Sequence, residues 1–217
     1  MLSYAPAWRQ AASRALGRLR LPALLRHYSE RRVWAAFLFI NGFLIIALLS
    51  ALAMVTGTPV VFPSLGPTAI LFFFTPASIT STPRNSMLGH AIGILCGYGA
   101  LCLVGLQHAP PAILIGVDSR RILAAALSLA ATGALMVLLK APHPPAGATT
   151  LIISLGVITR PLHLVEIELA VGVLTLQAIV INRLAGIDYP LWARDESPPV
   201  RVPDGELVEV SGARELK

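Results

Sequence analysis

Hydroxyl-bearing residues and glycines follow prolines in two short apolar stretches of the sequence. They are Ser64, Gly66 and Thr68 in the first stretch and Gly147, Thr149 and Thr150 in the second. Proline suits the start of a helix, where unpaired backbone N–H groups and partial positive charge are found. Two such helix starts near each other would bind an anion, with the hydroxyls as further donors. The other interpretation is a pair of kinked packing helices whose hydroxyls bond their own backbone carbonyls.

An arginine and an asparagine stand between these two stretches, just before an apolar run. Arg84 could attract an anion or hold it through two parallel N–H bonds, with Asn85 beside it. The other interpretation of Arg84 is an interfacial side chain whose charged end reaches toward water. We therefore count Arg84 and Asn85 among the candidate anion-binding residues.

Three titratable residues are candidates for proton coupling. His90 lies in the apolar run after Arg84 and could relay a proton or bond a carbonyl of the next helix. His143 precedes two prolines, which favours an extended backbone, and could take up a proton with the anion. Glu166 follows His163 by three residues near the start of the last apolar run, where its charge also suits the helix dipole. No Cys or acid completes a ligand set around these histidines, so the sequence predicts no metal site and no cofactor.

The elements that must position these residues are long apolar runs. Of the 217 residues, 55% are hydrophobic and 13% are charged, about half the charge of an ordinary soluble domain. Four runs can each span ~30 Å of hydrocarbon, and two shorter runs are interrupted by Pro and Gly. The four lie at 33–55, 87–106, 122–139 and 164–181, and the short ones at 59–75 and 144–158. The sequence therefore predicts an all-α polytopic membrane protein, with a membrane domain at 33–189 and a polar cytoplasmic tail at 190–217.

The net charge of +6 is concentrated before the first apolar run, where residues 1–32 hold seven arginines and one glutamate. This is typical of the positive-inside signal. The apolar spacing of Trp8, Ala12, Leu16 and Leu19 predicts a basic amphipathic helix on anionic lipid. We therefore expect a bacterial inner-membrane protein with both termini in the cytoplasm. Because the same stretch resembles an organellar presequence, an organellar membrane is the alternative.

Three blocks of sequence recur in the same order, which indicates an internal repeat with halves at about 31–106 and 120–182. The pairs are 31–38 with 120–127, 63–70 with 144–151, and 91–95 with 170–174. If the short segments cross the membrane, the protein has six crossings and inverted halves; if they return, it has four and parallel halves. Since an Arg-Arg pair opens each half, the positive-inside rule favours four transmembrane helices and two re-entrant segments in two pseudo-symmetric halves.

The motifs resemble those of a known family. The run Leu139–Leu151 contains His-Pro-Pro and resembles the signature of the HPP family of integral membrane proteins. Pro63–Leu71 and Pro83–His90 are similar to two further segments of that family, and Asn182 fits its Asn at the end of the last span. The resemblance covers roughly residues 33–185. Pro67-Thr68 departs from the family, in which Ala-Ser is more frequent at this place.

The resemblance implies a four-span transporter or channel, and relatives from chloroplasts and cyanobacteria are linked to nitrite transport. We therefore expect passage of a small inorganic anion, with nitrite as the first candidate. The expected partners are the lipid bilayer, the anion and further copies of the chain in a homo-oligomer, with no nucleic acid. We expect no enzyme, because Ser64 or Thr149 with His143 lacks an acid to orient the histidine. The alternative is a non-transporting scaffold or assembly protein.

Overall fold

The computed structural model describes residues 20–58 and 61–194, and the backbone of 200–201 and 207–208. Within them the α-helices are α1 (Leu21–Leu24), α2 (Glu30–Thr56), α3 (Leu65–Phe74), α4 (Pro83–Leu103), α5 (Ala112–Ile115), α6 (Ser119–Leu138), α7 (Ala146–Ser154) and α8 (Pro161–Leu184). A 3-10 helix, Ile79–Ser81, precedes α4, and the strands β1 (Val200–Arg201) and β2 (Leu207–Val208) pair antiparallel. The amphipathic helix predicted around Trp8–Leu19 lies outside the described residues.

Four helices are long and apolar enough to cross a membrane by length and composition. They are α2, α4, α6 and α8, with 27, 21, 20 and 24 residues. At about 1.5 Å per residue each reaches the ~30 Å of a hydrocarbon core. The prediction of an all-α bundle with four such helices is confirmed.

The two short helices lie on different sides of the bundle. α3 packs between α2 and α8, and its Phe72 and Phe73 are fully buried in the larger apolar core. α7 packs between α4 and α6, where Ala146 joins Ile92 and Met136 in a second, smaller core. Contact between α4 and α8 joins the two groups of helices. Each short helix is therefore enclosed by long helices from both halves of the sequence.

One end of the bundle carries the chain just before α2 and just after α8, and we call it the terminal end. The amide of Leu21 donates to Ala185 O at 2.9 Å, which brings the chain before α2 to the end of α8. The amide of Arg84 donates to Trp192 O at 2.9 Å. The Arg84 guanidinium also donates to Lys140 O at 2.8 Å. The starts of α2 and α4 and the ends of α6 and α8 therefore share the terminal end.

The opposite end, which we call the loop end, is joined by a buried arginine. The Arg121 guanidinium donates to Pro110 O at 3.0 Å and to Ser154 O at 3.2 Å. The amide of Ala112 donates to Leu155 O at 2.9 Å. The end of α4, the starts of α6 and α8 and the end of α7 therefore share the loop end.

These contacts correct the predicted re-entrant segments. Since α6 and α8 run in the same direction, the chain at 139–158 must travel from the terminal end to the loop end between them. Likewise α2 and α4 both start at the terminal end, so the chain through α3 must travel back. Each short segment therefore runs the length of the bundle, and the prediction that it returns to its starting end is wrong.

The error arose from the charge argument at the second Arg-Arg pair. Arg31 and Arg32 are exposed at the terminal end, as the positive-inside rule assumes. Arg121 is only 2% exposed and pairs with two backbone carbonyls, so it holds α7 rather than facing water. The two arginine pairs consequently lie at opposite ends of the bundle, and their similarity in sequence does not make the halves parallel.

Candidate functional site

The first turns of the two short helices meet at one histidine of α4. Thr68 of α3 has its Oγ1 at 2.9 Å from His90 Nε2, and Thr149 of α7 has its Oγ1 at 2.8 Å from His90 Nδ1. All three side chains are fully buried. The two helix starts therefore approach each other in the structure, and His90 joins them.

A second histidine extends this cluster toward the terminal end. His143 Nε2 lies 3.2 Å from Thr68 Oγ1, and its Nδ1 lies 2.8 Å from Thr80 O. The rings of His90 and His143 have centroids 5.0 Å apart. We call Thr149, His90, Thr68 and His143 the histidine cluster. Among the described residues, no carboxylate is bonded to either ring.

Glycines on one face of α4 allow the chain around α7 to come this close. A Cβ on Gly89 would lie 2.6 Å from His143 Cβ, and one on Gly93 would lie 2.8 Å from Ala146 O. A Cβ on Gly97 would lie 2.8 Å from Thr150 O. The spacing of four residues places all three on the same helix face, as in other membrane helix pairs with small residues at the contact.

The helix starts differ in their free donors. At α7 the amides of Ala146, Gly147 and Ala148 each donate at 3.0 Å to the carbonyl three residues earlier, so they are already paired. At α3 the Ser64 hydroxyl is fully buried without a partner, and within the described chain the Gly66 amide has no backbone acceptor. Free donors for an anion therefore remain at the start of α3 and not at the start of α7.

Three other predicted residues have structural contacts away from the histidine cluster. Thr150 bonds Thr132 Oγ1 of α6 at 2.9 Å and Gly93 O of α4 at 3.2 Å. Arg84 donates to the carbonyls of Leu139 and Lys140, and to Asn85 Oδ1 at 3.0 Å. Asn85 in turn donates to Ile79 O at 2.9 Å. Arg84 and Asn85 therefore hold the extended segment that carries His143 at the terminal end.

Glu166 is not part of the histidine cluster. It is buried on α8, five residues from the loop end of that helix, and its Oε2 has no partner in the described part of the chain. The structure records no ion pair between Glu166 and His163 in the same part of the chain. The predicted proton-coupling set is thus divided, with His90 and His143 together and Glu166 apart.

The sequence reasoning missed the groups that hold His143 from the terminal end. Thr80 contributes its backbone carbonyl, which no residue type can reveal. Tyr189 is fully buried, donates to Ser81 O and packs edge-to-face on Phe72. Burial raises the pKa of the Tyr189 phenol, so it stays a donor. One available signal was the spacing of Gly89, Gly93 and Gly97, which marks the face that α7 contacts.

Comparisons with known proteins agree with the motifs. The family model for the HPP transmembrane region matches residues 27–190. Two transmembrane proteins of Dictyostelium discoideum are similar, one 27% identical over 165 residues and the other 30% identical over 157 residues. The aligned parts cover 73% and 70% of this chain and 54% and 47% of those proteins, so the chain spans about half their length. No solved structure matches. Because the family model covers most of the sequence, the chain belongs to the HPP family of integral membrane proteins.

Proposed function

We propose that the protein carries a small inorganic anion across the membrane, with nitrite as the first candidate. The observation that carries this proposal is the start of α3, where the Ser64 hydroxyl and the Gly66 amide have no partner among the described residues. Thr68, in the same first turn, bonds two buried histidines. A helix start adds partial positive charge at the same place. An anion leaving water needs such donors within the bundle, because lipid supplies none.

The proposed site lies where the backbone of each half is broken. Irregular backbone at membrane depth is tolerated where protein buries it or water reaches it, and transporters use such breaks for binding. Thr68 and Thr149 occupy equivalent places in the two repeats and bond opposite nitrogens of His90. This supports a binding region shared by the halves, with most of the free donors on the side of α3.

We further propose six membrane crossings in two inverted, pseudo-symmetric halves. The packing of α3 between α2 and α8 is matched by that of α7 between α6 and α4, as a two-fold relation of the halves requires. The terminal end carries Arg31, Arg32, Arg84 and Lys140, and the loop end carries Arg120 and Arg160 besides the buried Arg121. The positive-inside rule then puts the terminal end in the cytoplasm of a bacterial inner membrane. Because four long helices enclose only a small cross-section, a homo-oligomer is part of this proposal.

The test is anion entry into liposomes that contain the purified protein. We expect saturable nitrite entry with competition from the anions that the site also accepts, tried among nitrate, formate, bicarbonate and chloride. Ser64→Ala removes one donor to a charged group, worth about 1.5–3 kcal/mol, so KM for nitrite should rise roughly ten- to a hundredfold. Ser128→Ala is the matched control, because the Ser128 hydroxyl is buried but donates to Ala125 O of its own helix.

Three outcomes would count against the proposal. Entry no faster than in protein-free liposomes, for every anion and with folded protein, would leave a membrane scaffold as the better interpretation. An unchanged KM in Ser64→Ala would remove the start of α3 from the binding region, even if transport itself is found. An equal rise of KM in Ser64→Ala and Ser128→Ala would show a general loss of packing.

A further inference from the structure

The histidine cluster forms an unbroken line of hydrogen bonds whose direction is fixed at one end. Thr80 O can only accept, so His143 Nδ1 must carry a proton. A neutral His143 then accepts at Nε2 from the Thr68 hydroxyl, whose proton lies between His143 Nε2 at 3.2 Å and Ser64 O at 3.1 Å. The Thr68 oxygen therefore accepts from His90 Nε2–H, which leaves His90 Nδ1 to accept from the Thr149 hydroxyl. All four bonds point from α7 toward Thr80.

The surroundings favour two neutral rings in this resting state. A buried imidazolium without a carboxylate partner is costly, and a second charge 5.0 Å away would add repulsion. α3, α7 and the 3-10 helix contain no titratable residue. The titratable or charged groups on the other elements packed around the cluster are Arg84, Cys96, Tyr98 and Cys102 of α4, Arg120 and Arg121 of α6, and His163, Glu166, Glu168 and Arg183 of α8. None of them is hydrogen-bonded to either ring.

We propose that this line of hydrogen bonds is a proton relay that accompanies the anion, so that the transported unit is the anion plus one proton. This inference rests on the function proposed above. A proton that arrives at the α7 side binds His90 Nδ1, which breaks the bond from Thr149. The Nε2 proton of His90 passes to Thr68, the Thr68 proton passes to His143 Nε2, and the Nδ1 proton of His143 leaves beside Thr80. One proton enters and one leaves, and His90 ends with its proton on Nδ1 and His143 with its proton on Nε2. Both rings must regain their starting tautomers before the next transfer.

Thr68 keeps a partner for its oxygen and for its proton throughout the transfer. While His143 holds two protons, Thr68 accepts from His143 Nε2–H and donates to His90 Nε2, which has given up its proton. Ser64 O, at 3.1 Å from Thr68 Oγ1, is a second acceptor for the hydroxyl as it turns. Thr80 is only partly buried, so the outlet of the relay lies close to the terminal end. Thr68 is thus the shared hydroxyl through which both histidines communicate.

The first test is the tautomer of each ring, read by nitrogen-15 NMR of histidine-labelled protein in lipid. We expect His143 to carry its proton on Nδ1 and His90 to carry its proton on Nε2, with signals assigned from His90→Asn and His143→Asn. This result does not depend on any transported anion. The opposite tautomer at either ring would overturn the relay, whatever the transport assays show.

The second test compares Thr68→Val with Thr68→Ser in liposomes that contain a pH-sensitive dye. Valine keeps the shape but lacks the hydroxyl, so the number of protons that enter with each nitrite ion should fall at least about tenfold. Serine should restore proton entry. Thr175→Val is the matched control, because Thr175 is a buried threonine of α8 with no hydrogen-bond partner in the described residues.

The outcomes separate the relay from the proposed function. Proton entry that is unchanged in Thr68→Val would overturn the relay while leaving anion transport in place. Nitrite entry in the unmodified protein without any proton movement would also overturn the relay while leaving anion transport in place. If the unmodified protein moves no anion, the proposed transport function is wrong, and so is the proposed coupling of protons to it.

Discussion

The substitution Gly89→Ala tests whether close approach to α4 positions His143. The new Cβ would lie 2.6 Å from His143 Cβ, whereas ordinary van der Waals contact begins near 3.4 Å, so the two chains must separate by about 1 Å. The obstacle is not the end of a flexible side chain but the first atom of His143. Such overpacking costs about 1–3 kcal/mol. The separation would also lengthen the bonds of His143 to Thr80 O and Thr68.

The matched control is Gly99→Ala on the same helix, where a Cβ would meet nothing within 4 Å. Each substitution gains roughly 0.5–1 kcal/mol from the better helix propensity of alanine, so this gain cancels in the comparison. The difference between the two variants is then the steric cost at Gly89, about 1–3 kcal/mol. For a chain of this size, a loss of 1 kcal/mol lowers the thermal unfolding midpoint by about 2–4 °C. The unfolding midpoint of Gly89→Ala should therefore lie roughly 2–12 °C below that of Gly99→Ala.

The assay is thermal unfolding of both variants and the unmodified protein in the same detergent. The nitrogen-15 signals of His143 should move in Gly89→Ala and stay in place in Gly99→Ala. Equal unfolding midpoints in the two variants, together with unchanged His143 signals, would refute the argument that Gly89 sets the distance between His143 and α4.

Two further substitutions probe the contacts that fix the direction of the short segments. Arg121→Met should lower the free energy of unfolding by about 1–3 kcal/mol, because the buried Ser154 carbonyl loses its donor, whereas the partly buried Pro110 carbonyl can bond water. Arg120→Met, in which the lost side chain is 63% exposed, should change it by less than about 1 kcal/mol, and equal losses in thermal unfolding would count against the buried cap. Asn182→Leu removes the 3.0 Å bond to Phe72 O and should cost about 1–3 kcal/mol in the same assay; an unchanged midpoint would show that α8 does not hold α3 through this bond.

Much of the architecture was predictable because it follows from local composition. The length of the apolar runs predicts four long helices, since each must cover the hydrocarbon thickness and satisfy its own backbone bonds. The prolines and glycines before Thr68 and Thr149 predict where the two short helices begin, because proline cannot donate within a helix. The recurrence of these motifs in both halves pointed to the two helix starts, and in the structure Thr68 and Thr149 both contact His90.

The direction of the short segments was not predictable from charge. The sequence around Arg31 and around Arg121 looks alike, and the positive-inside rule treats both as free charges. Whether an arginine faces water or caps a helix depends on carbonyls from distant segments, here those of Pro110 and Ser154. The roles of Arg84 and Asn85 depend in the same way on contacts with distant segments.

The sequence by itself determined the four long apolar helices, the two short segments broken by proline and glycine, and the residue types that meet there. Those properties depend on side-chain hydrophobicity and backbone chemistry, which each residue carries with it. Only the tertiary structure decided that Thr68, His90, Thr149 and His143 form one line of hydrogen bonds ending on Thr80 O. That line requires helices from both halves to approach across glycine at a distance that no local pattern encodes. Its direction is set by a backbone carbonyl, which is chemically the same in every residue.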